Sequence, residues 1–124
     1  MKNYEEMSDF EINKAVALII GVSFNDDGEP VRFVECDTGS YADFNEIEFD
    51  PCNNPEDAWP IIVDSKISLH HSICKWDADS LVYDKKYKNG FFIFSSCSAI
   101  GDISSRGALR AAMIVFLKMN EEGL

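Results

Sequence analysis

Long apolar runs are missing from this chain. The longest, "AAMIVFL" at 111–117, has seven residues, far short of the ~20 that carry a helix across a bilayer, so no membrane span is expected. Cysteines are few and scattered: Cys36, Cys52, Cys74 and Cys97 are too widely spaced for a zinc knuckle or a redox pair. They read as small buried or half-buried thiols. Adjacent His70 and His71 would face opposite sides of a strand and cannot readily share one metal ion, so neither metal nor cofactor is expected. The start, "MKNYEEMSDFE", lacks the charged-then-apolar pattern of a secretory signal, which suggests a reducing cytoplasm.

Catalytic signatures are lacking too. There is no G-x-S-x-G elbow, phosphate-binding glycine loop, H-E-x-x-H or dinucleotide fingerprint. Asp64, Asp77 and Asp79 with His70 could be imagined as an acid–base or metal cluster, since a general base needs only one tuned side chain within reach of its substrate. Many acidic chains offer as much, and the expectation is a protein that is not an enzyme.

Positive charge is the remaining scarcity. The 124 residues carry a net charge of -11, and residues 1–64 hold sixteen Asp/Glu against three Lys/Arg, while residues 65–124 hold six against eight. Such a balance repels nucleic-acid phosphates and anionic lipid, because a DNA-binding surface needs clustered cations. Direct nucleic-acid or membrane binding is disfavoured. The acidic half is either a solvated face that aids solubility or a docking face for a basic partner.

What is present reads as alternating helices and strands. In "MSDFEINKAVALIIG", Ser8 and Glu11 form a capping box and Met7 and Ile12 a hydrophobic staple. Ile12, Ala15, Val16, Ile19 and Ile20 follow a one-faced helical stripe that Gly21 can stop. "NDDGEP" is a turn and "VRFVECD" a strand. Residues 38–51 show only weak alternation and are expected to be mainly loop, and Asp43, Glu46, Glu48 and Asp50 crowd into it. These four are the candidate acidic recognition face.

Next, Asn54 is a good helix N-cap, with Pro55 at the first helical position and Glu56 and Asp57 where the helix dipole favours anions. Pro60 should kink or tighten that helix, leaving Trp59, Ile62 and Val63 as the inward residues. "ISLHHSI" alternates Ile67, Leu69, His71 and Ile73 against Ser68, His70 and Ser72 as a half-buried strand. Asn89-Gly90 marks a hairpin whose two-residue turn would set Tyr87 opposite Phe92 and Lys85 opposite Phe94. Trp76, Tyr83 and Tyr87, with Lys85, Lys86 and Lys88 nearby, offer an alternative site for an anionic ligand such as a nucleotide, although a solvated hairpin is the simpler account of them. A last helix carries Leu109, Ala112, Met113, Phe116 and Leu117 at stripe spacing, with Ser105 as N-cap.

Together these segments predict a single α+β domain over 1–124: a small antiparallel or mixed sheet of four to five strands with about three helices packed on it, sandwich-like. The blocks "YEEMSDFEINKAVA", "NNPEDAWPIIVDSKISL" and "LRAAMIVFLKM" resemble the NinX-like family of small proteins from tailed phages and prophages. The resemblance implies a phage accessory protein with helices flanking a sheet, acting in the bacterial cytoplasm, and brings no catalytic residues with it. On this reading the chain is an acidic protein-binding module whose partner is a basic host or phage protein, such as a nucleic-acid-binding protein or a host defence factor.

The apolar run at 111–117 covers the whole circumference of a helix, and a homodimer or intrachain packing would bury it equally well. Trp59, read as a packing anchor, should cost roughly 3 to 5 kcal/mol on replacement by alanine.

Overall fold

The computed structural model describes residues 3–37, 42–83 and 91–121. Side chains are described except at 34–37, 42–44, 81–83 and 91–93 within the strands. A short 3-10 turn at Tyr4–Glu6 leads into α1 (Asp9–Ile20), followed by β1 (Ser23–Phe24), β2 (Pro30–Asp37), β3 (Ala42–Glu48), α2 (Pro55–Asp64), β4 (Ser68–His71), β5 (Trp76–Tyr83), β6 (Phe91–Cys97) and α3 (Ser105–Glu121). The α+β class is as expected, but the strands form two three-stranded antiparallel sheets, β1-β2-β3 and β4-β5-β6, rather than one sheet of four or five.

Local chemistry starts and stops the helices. Ser8 Oγ accepts the Glu11 N–H at 3.2 Å, and Gly21, with φ 82°, ends α1 in the left-handed conformation that glycine adopts without penalty. Asn54 Oδ1 accepts the Glu56 N–H at 3.0 Å with Pro55 at the first helical position, and α2 continues through Pro60. At α3 the cap is Ser104, one residue earlier than expected: its Oγ accepts the Gly107 N–H at 3.2 Å and is itself held by Asp102. Gly107 sits where a Cβ would come within 2.9 Å of Ser98 Cβ and of the Asp102 carboxylate, so only glycine lets this helix start approach the loop before it.

The core is organised around α3. Every residue from Ala111 to Leu117 is buried, enclosed by β5 and β6 together with α1, α2 and the N-terminal turn. A helix apolar all round must lie inside. Its circumference is covered within one chain, and the run therefore gives no ground for a second copy.

The part of the segment expected to be mainly loop that lies at 42–48 is instead a strand: β3 pairs with β2 over seven positions, from Val31↔Glu48 to Asp37↔Ala42, while 38–41 lie outside the described residues. The alternation is weak because the base of the ribbon packs on the core, at Val31 and Phe49, while Phe33, Glu46 and Glu48 face water. In the second sheet the hairpin exists in a different register. Phe92 pairs with Val82 and Phe94 with Ser80, not with Tyr87 and Lys85. A slip by an odd number of residues exchanges the two faces, and the observed pairing puts the small buried Ala78, Ser80 and Ser96 on the face beneath α3. Asn89-Gly90, Lys85, Lys86, Tyr87 and Lys88 lie outside the described residues.

Four burial expectations are corrected, the first being Ile20, set on the inward stripe of α1 but 43% exposed at the helix end. Trp59 is 63% exposed and Val63 is also exposed, because the inward arc of α2 is Asp57, Ala58, Ile61 and Ile62. Trp59 is then rotated about 200° from Asp57 around the helix. Ile73, expected inward, is 97% exposed in the turn after β4, and His71 is exposed against Trp76 with ring centroids 4.9 Å apart. Among the thiols, Cys52 is buried, and burial pushes its thiol well above the usual range, but Cys74 and Cys97 are exposed.

Two stability outcomes follow. Met113→Ala, at the centre of α3, should lose about 2–5 kcal/mol in chemical denaturation, whereas Trp59→Ala should lose less than about 1 kcal/mol. Gly107→Ala should lower stability by about 1–3 kcal/mol through overpacking, measured in the same experiment.

Candidate functional site: the acidic ribbon and its polar latch

The candidate carboxylates divide by what holds them. Asp50 is half-buried and turned inward: its Oδ1 accepts Asn13 Nδ2 at 2.6 Å and Asn53 Nδ2 at 3.0 Å. Its own N–H donates to Asp57 Oδ2 at 2.9 Å, while the buried Asn13 takes the Cys52 N–H on its Oδ1 at 3.1 Å. Asp50 therefore joins α1, the turn before α2, and α2 itself, rather than contributing to an outer face.

Asp57 completes the latch. Its carboxylate is 2% exposed, with Oδ1 2.8 Å from Arg32 Nε. The Arg32 N–H is not directed at that oxygen, so the contact is ionic attraction rather than an aligned hydrogen bond. Arg32 also reaches Glu56 at 3.2 Å. Because Arg32 stands on β2 and both acids on α2, this cation fixes the base of the β2–β3 ribbon against the helix. On the far side Asp9 accepts from Asn53 at 3.2 Å and from Arg110 of α3 at 2.6 Å. The Arg110 guanidinium also donates to the Glu5 and Met7 carbonyls.

With these acids and cations committed, Glu46 and Glu48 are left outward. Glu46 stands directly across from Phe33 and Glu48 across from Val31, so both carboxylates share one face of the ribbon with Phe33. Phe33 is 56% exposed. No cation lies within ion-pair distance of Glu46 or Glu48 among the described residues. Asp43 pairs with Cys36 further along the ribbon, but its side chain lies outside the described residues. Sequence reasoning singled out the two glutamates but not Phe33, because an aromatic in an alternating strand reads as core until the register shows what lies opposite.

Of the alternative ligand residues, Trp76 and Tyr83 are not brought together. Trp76 and Tyr83 begin and end β5, about 23 Å apart at strand rise, so one small ligand does not reach both. The Trp76 indole N–H already donates to the Ile103 carbonyl at 3.0 Å. Lys85 and Tyr87 fall outside the described residues. On the outer face of the second sheet, His70 Nε2 lies 3.2 Å from Asp79 and Lys75 lies 3.5 Å from Asp77. Ser95 and Cys97 border a shallow depression of about 510 Å³ there, and Asp64 is elsewhere, at the end of α2. Among the described residues no group of three His, Cys, Asp or Glu side chains is placed to hold a metal ion, and no helix is long and apolar enough to cross a membrane.

A family model described as bacteriophage P22, NinX matches residues 3–120. The chain belongs to this NinX family. No curated protein and no solved structure matches it. Residues 3–120 take in every helix and strand except the last residue of α3, so the NinX match includes both the latch and the ribbon.

If the latch carries the ribbon, Asp57→Ala should destabilise the protein by about 2 kcal/mol, since it strands the Asp50 N–H and leaves Arg32 only its exposed partner Glu56. Hydrogen exchange in β2 and β3 should quicken in that variant more than in β5 and β6.

Proposed function

We propose that this NinX chain is a phage accessory factor that binds a protein, setting the acidic face of its β2–β3 ribbon against a positively charged surface of a host or phage partner. The supporting observation is the grouping of Phe33 with Glu46 and Glu48: one large ring in water, beside two carboxylates with no cation in range among the described residues. Interfaces commonly combine an aromatic anchor with charges of one sign, the ring giving affinity by burial and the charges steering approach and rejecting wrong partners. Two carboxylates at i and i+2 on a strand stand about 7 Å apart, presenting anions in a line as a nucleic-acid backbone does. A basic nucleic-acid-binding protein or a host defence factor is the partner class that fits, met in the cytoplasm of the infected or lysogenic cell. This reading requires no cofactor and assigns no catalysis. A nucleotide-like ligand at Trp76, Tyr83, Lys85 and Tyr87 has less in its favour, with Trp76 already satisfied by Ile103.

Site-specific photo-cross-linking tests the reading. A photoreactive phenylalanine at position 33, introduced in cells carrying the phage genes, should give one dominant protein adduct. The adduct should weaken at least tenfold in Glu46→Gln/Glu48→Gln and fade as salt is raised, since exposed charges are screened within about 10 Å at 0.1 M salt. An adduct pattern identical to that from position 18 on α1, where Leu18 is 67% exposed, or one indifferent to the double substitution, would show the ribbon not to be the docking face.

A further inference from the structure

Among the described residues the second sheet has an open edge: β4 has β5 as its one strand neighbour there, and the Ser72 N–H donates to the Lys75 carbonyl at 2.9 Å to close the turn between them. Antiparallel pairing then directs the main-chain groups of Ser68, His70 and Ser72 toward β5 and those of Leu69 and His71 outward. Ile67 does not share this exposure, since its N–H donates to the Ile62 carbonyl at 3.0 Å. Two residues of β4 therefore offer N–H and C=O groups, at strand spacing, that have no partner among the described residues.

Alongside that edge runs an apolar groove of about 480 Å³, between β4 and the outer face of α2. Trp59 and Val63, one helical turn apart, form its outer wall. Ile62 and Ile67 are its buried floor, and Leu69 lines the strand side. The one charged lining residue is Lys66, with no carboxylate within ion-pair distance among the described residues. Asp64, though near in sequence, is not part of the lining.

Lys66 is also the single described non-glycine residue with positive φ, at 57°. It occupies the position after the α2 cap where a left-handed glycine is the usual choice. A turn that glycine would serve more easily has instead been given an ammonium group at the groove.

We propose that this groove binds an extended peptide of a partner protein by strand addition to β4. The peptide's main chain pairs with Leu69 and His71, two apolar side chains two residues apart enter the groove beside Trp59, and a following acidic side chain meets Lys66. Main-chain pairing supplies affinity and the alternate side chains supply selectivity, as in other edge-strand recognition. Charge favours such a partner over a second copy of the chain. In a symmetric antiparallel pairing of two β4 edges, Lys66 falls across from residues 72–76, whose only charged member is Lys75. The surface is separate from the ribbon at Phe33, and either can fail without the other.

Selection from a random displayed decapeptide library on the purified full chain tests this. The expected consensus is apolar–x–apolar followed by Asp or Glu. A selected peptide, labelled and followed by fluorescence anisotropy, should bind at least tenfold more weakly to Trp59→Ala, whose side chain is largely exposed and whose loss leaves the fold intact. Lys66→Gly should weaken it about fivefold, and so should changing the peptide's acid to its amide, with the two changes together no worse than either alone, as for a single shared contact. N-methylation of the peptide at the positions facing Leu69 and His71 should abolish binding. Glu46→Gln/Glu48→Gln should leave it unchanged. Absence of any enriched motif, a basic consensus, or full binding of the N-methylated peptide would overturn the proposal. So would a dimer in sedimentation equilibrium that Trp59→Lys dissolves, because the groove would then belong to a second copy.

Discussion

Everything in this molecule is arranged around a helix that has no side to show to water. From Ala111 to Leu117 α3 is apolar around its full circumference, and each of these residues is buried. Burial of such a helix is worth on the order of 1.5–3 kcal/mol for each large side chain, but only if neighbours stand on every side. One three-stranded sheet covers one side; α1, α2 and the N-terminal turn must close the rest. This constraint explains the small residues under the helix, Ala78 and Ser80 on β5 and Ser96 on β6, which let the backbones approach. It also explains why the register of the β5–β6 hairpin follows the buried face.

Closing the far side of α3 requires polar residues, because the segments that do so are loops and helix starts whose backbone groups need partners. The cluster of Asn13, Asp50, Asn53 and Asp57 meets that need, with Arg32 and Arg110 supplying the opposing charge at its two ends. The acidic half of the chain is thus two populations. One set of carboxylates is spent on holding α1, α2 and the base of the ribbon in place, and another, represented by Glu46 and Glu48, remains in water beside Phe33. A count of charges cannot separate these populations, and only the second is available to a partner.

The two candidate surfaces arise from the same geometry. Because α2 turns Asp57, Ala58, Ile61 and Ile62 inward, it must turn Trp59 and Val63 outward, next to the edge of β4 that has no strand partner among the described residues. Because Arg32 is drawn to α2, the other face of β2, with Phe33, is turned away from it. Trp59 and Phe33 are therefore each the counterpart of a buried polar contact.

Local sequence determined what depends on neighbours within a few residues. The caps at Ser8 and Asn54, the stop at Gly21, the strand at 31–37, the strand after Ile67 and the buried stripe of the last helix were all legible, because capping, turn chemistry and periodicity act over one or two turns. Membership of the NinX family was legible for a similar reason, in blocks of contiguous residues. Tertiary structure decided the division into two sheets, the identity of residues 42–48 as a strand, the pairing of Phe92 with Val82, and the outward facing of Trp59 and Ile73. Those outcomes turn on contacts between residues far apart in the chain. Trp59 faces water because Asp57 is held by Arg32, twenty-five positions away, and Asp50 is structural because Asn13 reaches it across thirty-seven. A pattern read along the chain carries no information about which of two apolar or acidic faces such distant partners will claim.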